Sequence, residues 1–443
     1  MGVMKTKLTT NNVAHLFVIA MTSAVLFSVL AWWVAGSYFG VNIFSSISFF
    51  SDDGWCAPTD SLGVHCFGDF HYPIKMAMSD NPWSGEIGIN PYTGLSMAPY
   101  WLFGHIIEVI GSVNVGLFFY MLLLFASLSV PFFWVSYGGE FEFWPLMALC
   151  VGPLAIPGIM ALDRGNSVAL IVGPLLWFLV SFIRNDSRQI IISMAILVAV
   201  KPQYGLLVIL LVAYREWKLF LRTGVVIAGT QFLGYLLWPS NFPETILQSF
   251  RMTRSYQSIS NVVDVYPPQI SLASGVYYLE KLIRNLVGSQ IPYSGFVSVQ
   301  HQTKVGFLFV ALLFTCLFFR GRHLPKFLTA SILVAAISMI SATTYAYYGV
   351  FALAIAAILI RNPLIVNSKE SENELSLSPV QASSLALALV LTLTRFPLAS
   401  TFLVRDLKLV ETSTFLTPIS WVIVGLVWMI DSFKYSEEDP GKL

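Results

Sequence analysis

The sequence predicts an all-α polytopic membrane protein that crosses the bilayer in about twelve segments and forms one integral domain over residues 1–443. Composition is the first observation behind this class: 56% of the residues are hydrophobic, only 11% are charged, and the mean hydropathy is +0.72. The second is that long apolar runs recur along the chain. Lys and Arg, 25 together, nearly balance 24 Asp and Glu, so no basic surface for nucleic acid is expected.

Ten apolar runs approach the roughly 20 residues that a helix needs to cross a bilayer. The first run follows Lys5 and Lys7 and is too long for the core of a signal peptide, so we expect an uncleaved first span. The runs cover residues 13–35, 114–136, 143–162, 167–183, 219–238, 305–319, 327–342, 345–360, 383–398 and 415–430.

A further apolar stretch, residues 190–214, is interrupted by Lys201 and Pro202. Proline inside a helix costs about 3 kcal/mol, and lysine at mid-bilayer costs a similar amount. A broken hairpin over residues 189–216, with Lys201 at its tip, would place every basic cluster on one side of the membrane. We therefore predict this hairpin, with both chain termini in the cytoplasm and the tip just below the outer surface.

This topology predicts two long loops on the outer face of the cell membrane, at residues 36–113 and 239–304, and a cytoplasmic linker at residues 362–380. The first loop has interfacial helices and contains Asp69 among the aromatic residues Tyr72, Trp83, Tyr92, Tyr100 and Trp101. The turn that contains Arg164 and the tip at Lys201 face the same side. Any chemistry is therefore expected on the outer face.

The four cysteines divide by environment. Cys150 and Cys316 lie in apolar runs, where a small buried thiol is common. Cys56 and Cys66 lie in the first outer loop, where they form a disulfide if that side is oxidising and remain free thiols otherwise.

Four short motifs carry a resemblance to a known family: DFHY at residues 69–72, NPYTGLSMAP at 90–99, RGN at 164–166, and KP at 201–202. Together they resemble the polyprenol-phosphate-sugar-dependent glycosyltransferases of the C-type membrane superfamily, and among these glycosyltransferase family 87. The likeness covers most of the chain in topology. It implies transfer of a mannose- or arabinose-type sugar from a polyprenyl-phosphate donor to a lipid or glycan acceptor, with inversion.

The resemblance also implies roles for individual residues. Asp69 matches the carboxylate that acts as general base, and Tyr72 matches the aromatic residue three positions later. Arg164, Asn166 and Lys201 match positions that bind the donor. The reaction needs a base on one side of the anomeric carbon and fixed positive charge beside the leaving phosphate, which these residue types supply.

Two further candidates for substrate binding lie where the chain departs from the family pattern. Gln269 lies in the segment Pro268–Ser271 of the second outer loop, where the family often shows Asn-Gln-Ser. Tyr348 ends a segment, 343–348, where the family carries a histidine.

Each candidate also has a structural interpretation. Asp69 is a residue type that caps helices, in which case Asp52 or Asp53 would be the base. Arg164 suits a pair with its neighbour Asp163, and Tyr345, Tyr347 and Tyr348 suit an interfacial aromatic belt.

The alternative function is a lipid or glycan transporter or flippase, because a broken helix with a buried lysine also marks transport paths. No Walker A, GxGxxG, GxSxG or HExxH motif is present, so we predict no nucleotide, no other cofactor and no zinc. Acidic residues that share one loop leave a divalent cation as an alternative.

Overall fold

The computed structural model describes residues 10–39, 67–137, 144–259, 269–276, 302–320, 325–341, 344–365, 377–399 and 409–438. Cys56 and Cys66, the candidates for a disulfide, and the alternative bases Asp52 and Asp53 lie outside these ranges.

The described residues are almost entirely helical, which confirms the all-α class. A short antiparallel ladder joins β1 (Pro397–Ala399) to β2 (Leu409–Glu411). The helices are α1 Thr10–Phe39, α2 Gly68–Ala77, α3 Ala98–Ile110, α4 Val113–Ser136, α5 Trp144–Val151, α6 Ile156–Arg164, α7 Val172–Ile183, α8 Ser187–Val200, α9 Ile209–Ala213, α10 Trp217–Tyr235, α11 Glu244–Ile259, α12 Gln302–Arg320, α13 Lys326–Ser338, α14 Phe351–Ile365, α15 Pro379–Leu393 and α16 Ser413–Glu438, with 3₁₀ turns at Gly94–Met97, Ser167–Ile171, Pro202–Val208, Pro239–Asn241 and Ala346–Val350.

The centre of the bundle is formed by α13 and α14, which are mostly apolar and are buried on every side. All residues of α13 are buried, as are those of α14 from Phe351 to Ile360. A helix that is apolar all round belongs in the interior of a large bundle or a membrane. The elements around this centre carry the polar side chains described below.

Two helices of the described chain, Val113–Ser136 and Phe415–Phe433, have the length and apolar composition to cross a bilayer. Several other apolar helices are shorter, at 10–17 residues. Large apolar side chains such as Phe118, Phe133 and Val225 are exposed on the outer surface of α4 and α10. These features indicate association with a membrane.

One predicted span is wrong. Residues 143–162 were expected to form a single helix, but α5 ends at Val151 and α6 begins at Ile156. Gly152 and Pro153 separate the two helices, because proline cannot donate the backbone hydrogen bond that would continue α5. The expected run over 383–398 is also shorter, since α15 ends at Leu393 and the chain then becomes extended.

The stretch with Lys201 forms a hairpin. α8 ends at Val200, and Lys201 is extended, with φ −140° and ψ 100°, because a residue before proline is disfavoured in helical conformation. The ring of Tyr214, just after α9, lies 5.4 Å from the ring of Phe182, which is in the last turn of α7, the helix that precedes α8. The two ends of the hairpin therefore lie close together, with Lys201 at the turn between its two arms.

Candidate functional site

Asp69 lies in the first turn of α2. Phe67, in left-handed conformation with φ 44°, precedes the helix, and no side chain caps it. Asp69 is therefore not the capping residue that one interpretation of the sequence suggested. Its carboxylate, 22% exposed, is directed toward the turn after α6.

That turn has a local explanation in the sequence Arg164-Gly165-Asn166. Gly165 adopts φ 64° and ends α6, which glycine does without steric cost. Asn166 then begins the next 3₁₀ turn, and its Oδ1 accepts a hydrogen bond of 2.8 Å from the Val168 amide. Its Nδ2 donates to Asp69 Oδ2 at 2.8 Å. The same amide side chain therefore fixes both the turn and the carboxylate.

Arg164 completes the contacts of the carboxylate. Its Nε donates to Oδ2 of Asp69 at 3.2 Å, and its Nη2 donates to Oδ1 at 3.4 Å. The guanidinium is only 6% exposed, so the pair is shielded from water. The sequence assigned Arg164 to the leaving phosphate; in the structure its guanidinium contacts the candidate base.

Burial raises the pKa of Asp69 from its usual value near 4 to about 6, although the hydrogen bond from Asn166 and the charge of Lys201 act in the opposite direction. A general base works best when its pKa lies near the operating pH. Asp69 is thus ionised near neutral pH and still basic enough to accept a proton.

Lys201 is buried at the tip of the hairpin, with 6% of its surface exposed. Its Nζ lies 4.8 Å from the centre of the Tyr92 ring and 5.5 Å from that of Tyr348. These rings stabilise the ammonium group through their electron-rich faces. Within the described part of the chain, no carboxylate forms a direct ion pair with it. A buried cation in this state favours an anionic ligand.

Asp69, Arg164, Asn166 and Lys201 line one cavity of about 390 Å³. Such a volume lies within the range of small-molecule sites in proteins. The cavity is partly aromatic, and Tyr72, which is 39% exposed, also lines it. Sequence positions separated by more than a hundred residues therefore meet in one site.

Tyr348 lines the same cavity, whereas Gln269 is not among the residues that line it. The rings of Tyr345, Tyr347 and Tyr348 stack in series, with centroids 5.5 Å and 5.3 Å apart. Gln269 is buried and pairs with Tyr345 through a backbone bridge. Gln269 is thus connected to the site through the backbone of Tyr345, which lines the cavity.

Several lining residues were not selected from the sequence. Tyr92 was noted only as an aromatic residue of the first loop, and Tyr345 and Tyr347 only as belt residues. Thr253 and Tyr256, on α11, were not noted at all. The signal that could have identified them is the recurrence of small polar residues on the buried face of α11, at Thr245 and Ser249.

Among the described residues, no group of three or more His, Cys, Asp or Glu side chains is arranged to hold a metal ion. Comparison of the chain with protein-family models, curated proteins and solved structures found no match.

Proposed function

We propose that the protein is a multi-pass membrane glycosyltransferase that transfers a mannose- or arabinose-type sugar from a polyprenyl-phosphate donor to a lipid or glycan acceptor on the outer face of the membrane. Its chain would cross the bilayer in about twelve segments, with the exposed apolar side chains of α4 and α10 in contact with lipid. The architecture would be that of the C-type superfamily which its motifs resemble.

The observation that carries the proposal is the presence of Asp69 and Lys201 in one cavity. Asp69 is a carboxylate with a pKa of about 6. Lys201 is a buried ammonium group held between two tyrosine rings. A base and an anion-binding cation are the two groups that sugar transfer from a phosphate donor requires.

In the proposed reaction, Asp69 takes the proton from an acceptor hydroxyl as that oxygen forms a bond to the anomeric carbon. The bond between the anomeric carbon and the phosphate oxygen breaks at the same time, and polyprenyl phosphate leaves with the electron pair. Lys201 stabilises the charge on this phosphate. Because the nucleophile and the leaving group occupy opposite faces of the sugar, the transfer inverts the anomeric configuration.

Arg164 and Asn166 act on the base in this proposal. They bind both oxygens of Asp69 and fix the direction of its remaining lone pairs. The stacked rings of Tyr345, Tyr347 and Tyr348 offer flat apolar surfaces on which a sugar ring can pack. Tyr72, at the edge of the cavity, is placed to contact the acceptor.

A transporter or flippase is the competing class, and the broken hairpin next to a cavity is the observation that favours it. A transporter moves its substrate past the site unchanged, whereas a transferase releases polyprenyl phosphate. Product analysis therefore separates the two classes.

The decisive experiment uses purified protein in lipid nanodiscs, radiolabelled mannosyl and arabinosyl polyprenyl phosphates, and a total lipid and glycan extract as acceptor. We expect labelled product with the native protein and a loss of about 10²- to 10⁴-fold in rate with Asp69→Asn. Asp80→Asn is the matched control, because Asp80 is an exposed aspartate in the same loop. Equal activity of all three proteins would exclude Asp69 as the base, and absence of transfer by the native protein would exclude the transferase.

A further inference from the structure

The backbone of Tyr92 is held on both sides by other side chains. Asn90, which is fully buried, accepts a hydrogen bond of 3.0 Å from the Tyr92 amide through its Oδ1. Its Nδ2 donates to the Pro82 carbonyl at 3.2 Å. The indole Nε1 of Trp83 donates to the Tyr92 carbonyl at 2.7 Å. Both polar backbone groups of Tyr92 are therefore fixed by side chains of one loop.

This loop is in turn fixed to the helical bundle. Trp83 is 1% exposed and packs against Tyr235 of α10 and against Trp238, with ring centroids 5.1 Å and 5.4 Å away. Asn81, two residues earlier, donates to Gln248 of α11 at 2.8 Å. The position of Tyr92 is therefore set by the packed bundle through Trp83 and not by the loop alone.

We propose that Trp83 and Asn90 are positioning residues that hold the Tyr92 ring against Lys201 and so fix the anion-binding ammonium group in the cavity. The ammonium group of lysine is carried on a flexible four-carbon chain, so its position is not fixed by the side chain itself. The Tyr92 ring, 4.8 Å from Nζ, restricts that freedom. A charge that is already oriented stabilises a developing anion without reorganisation.

The role of Lys201 toward phosphate rests on the proposed function, whereas its restraint by Tyr92 does not. Two readouts therefore separate the inferences. The first is the rate at which acetic anhydride modifies Lys201, measured by mass spectrometry of the peptide. The second is the affinity for a short-chain polyprenyl phosphate in detergent micelles.

Trp83→Phe and Trp238→Phe form a matched pair. Both tryptophans are buried in the same aromatic cluster, and Trp238 donates its indole hydrogen to the Ala77 carbonyl at 2.8 Å, not to Tyr92. Each substitution keeps an aromatic ring and removes one indole hydrogen bond. Both variants should therefore lose similar stability. Only Trp83→Phe should increase the modification rate of Lys201, and it should weaken polyprenyl phosphate binding about threefold to tenfold.

A second series keeps the proposal testable if Trp83→Phe does not fold. Tyr92→Phe keeps the ring face and should leave the modification rate of Lys201 near that of the native protein, whereas Tyr92→Leu should increase it. Asn90→Ala should resemble Tyr92→Leu.

The modification rate decides the proposal. Equal rates of Lys201 modification in Trp83→Phe and Trp238→Phe, whether raised or unchanged, would overturn it. The proposal predicts a difference because, of the two tryptophans, only Trp83 holds the Tyr92 backbone. A raised rate for Trp83→Phe alone supports it. If that rise comes without any change in the affinity for polyprenyl phosphate, the restraint of Lys201 by Tyr92 is supported, and the role of Lys201 in binding phosphate in the proposed function fails.

Discussion

Asp69 and Arg164 lie 95 residues apart in the sequence, yet the guanidinium of Arg164 donates to both oxygens of the Asp69 carboxylate. The pair is bidentate and mostly shielded from water. Bidentate contact fixes the plane of a carboxylate as well as its position. The candidate base is therefore oriented before any substrate arrives.

The pH dependence of transfer should show an acidic limb near pH 6. Asp69 accepts a proton only when ionised, and its pKa is raised to about 6 by burial. Below that pH the carboxyl group is protonated, so kcat/KM should fall about tenfold per pH unit. A pH–rate profile of the native protein measures this limb. A limb near pH 4 would contradict the environment described for Asp69.

Asn166→Asp should move the same limb to higher pH. The new carboxylate keeps an acceptor for the Val168 amide, so the turn is preserved. It replaces the hydrogen-bond donor to Asp69 by a like charge, which disfavours ionisation of Asp69 and raises its pKa. An unchanged limb would show that Asn166 does not control the base.

Lys201→Met should weaken binding of polyprenyl phosphate about tenfold to a hundredfold, since a hydrogen bond to a charged group contributes about 1.5–3 kcal/mol. Methionine retains the apolar stem and removes the charge. Equilibrium binding to the lipid phosphate, with the uncharged polyprenol as control ligand, isolates the electrostatic part. Equal loss for both ligands would indicate a packing defect.

Gly165→Ala and Gly111→Ala test the turn that carries Asn166. Both glycines have positive φ, 64° and 72°, so alanine should cost each variant about 1 kcal/mol of unfolding free energy. A Cβ at Gly165 would also approach Phe70 Cβ to 3.1 Å, whereas the space around Gly111 is open. Thermal stability should therefore fall in both variants, and at least as much in Gly165→Ala as in Gly111→Ala. Only Gly165→Ala should also lower transfer, because Phe70 is adjacent to Asp69.

The hairpin topology predicts that its tip and its two ends are accessible to reagents from opposite sides of the membrane. In a background without the four native cysteines, Lys201→Cys should react with an impermeant thiol reagent added outside the cell. Glu216→Cys, at an exposed position at the end of the hairpin, should react only after the membrane is permeabilised. Labelling of position 201 from the cytoplasmic side alone would reverse the proposed topology.

The sequence was most informative where one local rule dominates. The break at Lys201 follows from the steric demand of Pro202 on the residue before it, and the end of α6 follows from the tolerance of Gly165 for positive φ. The wrong prediction of a single helix over residues 143–162 also has a local cause, the effect of one or two residues. Hydropathy averages over about 20 residues, so it did not register the local effect of Gly152 and Pro153.

By itself, the sequence determined the helical class, the break at Lys201, and the set of residues from which a site could be made, because apolar content and local backbone preferences act over a few positions. Only the tertiary structure decided that Arg164 binds Asp69, that the rings of Tyr348 and Tyr92 lie against Lys201, and that Gln269 does not line the cavity. These contacts join distant parts of the chain. Their partners are chosen by the packing of whole helices, which a linear pattern of residues does not encode locally.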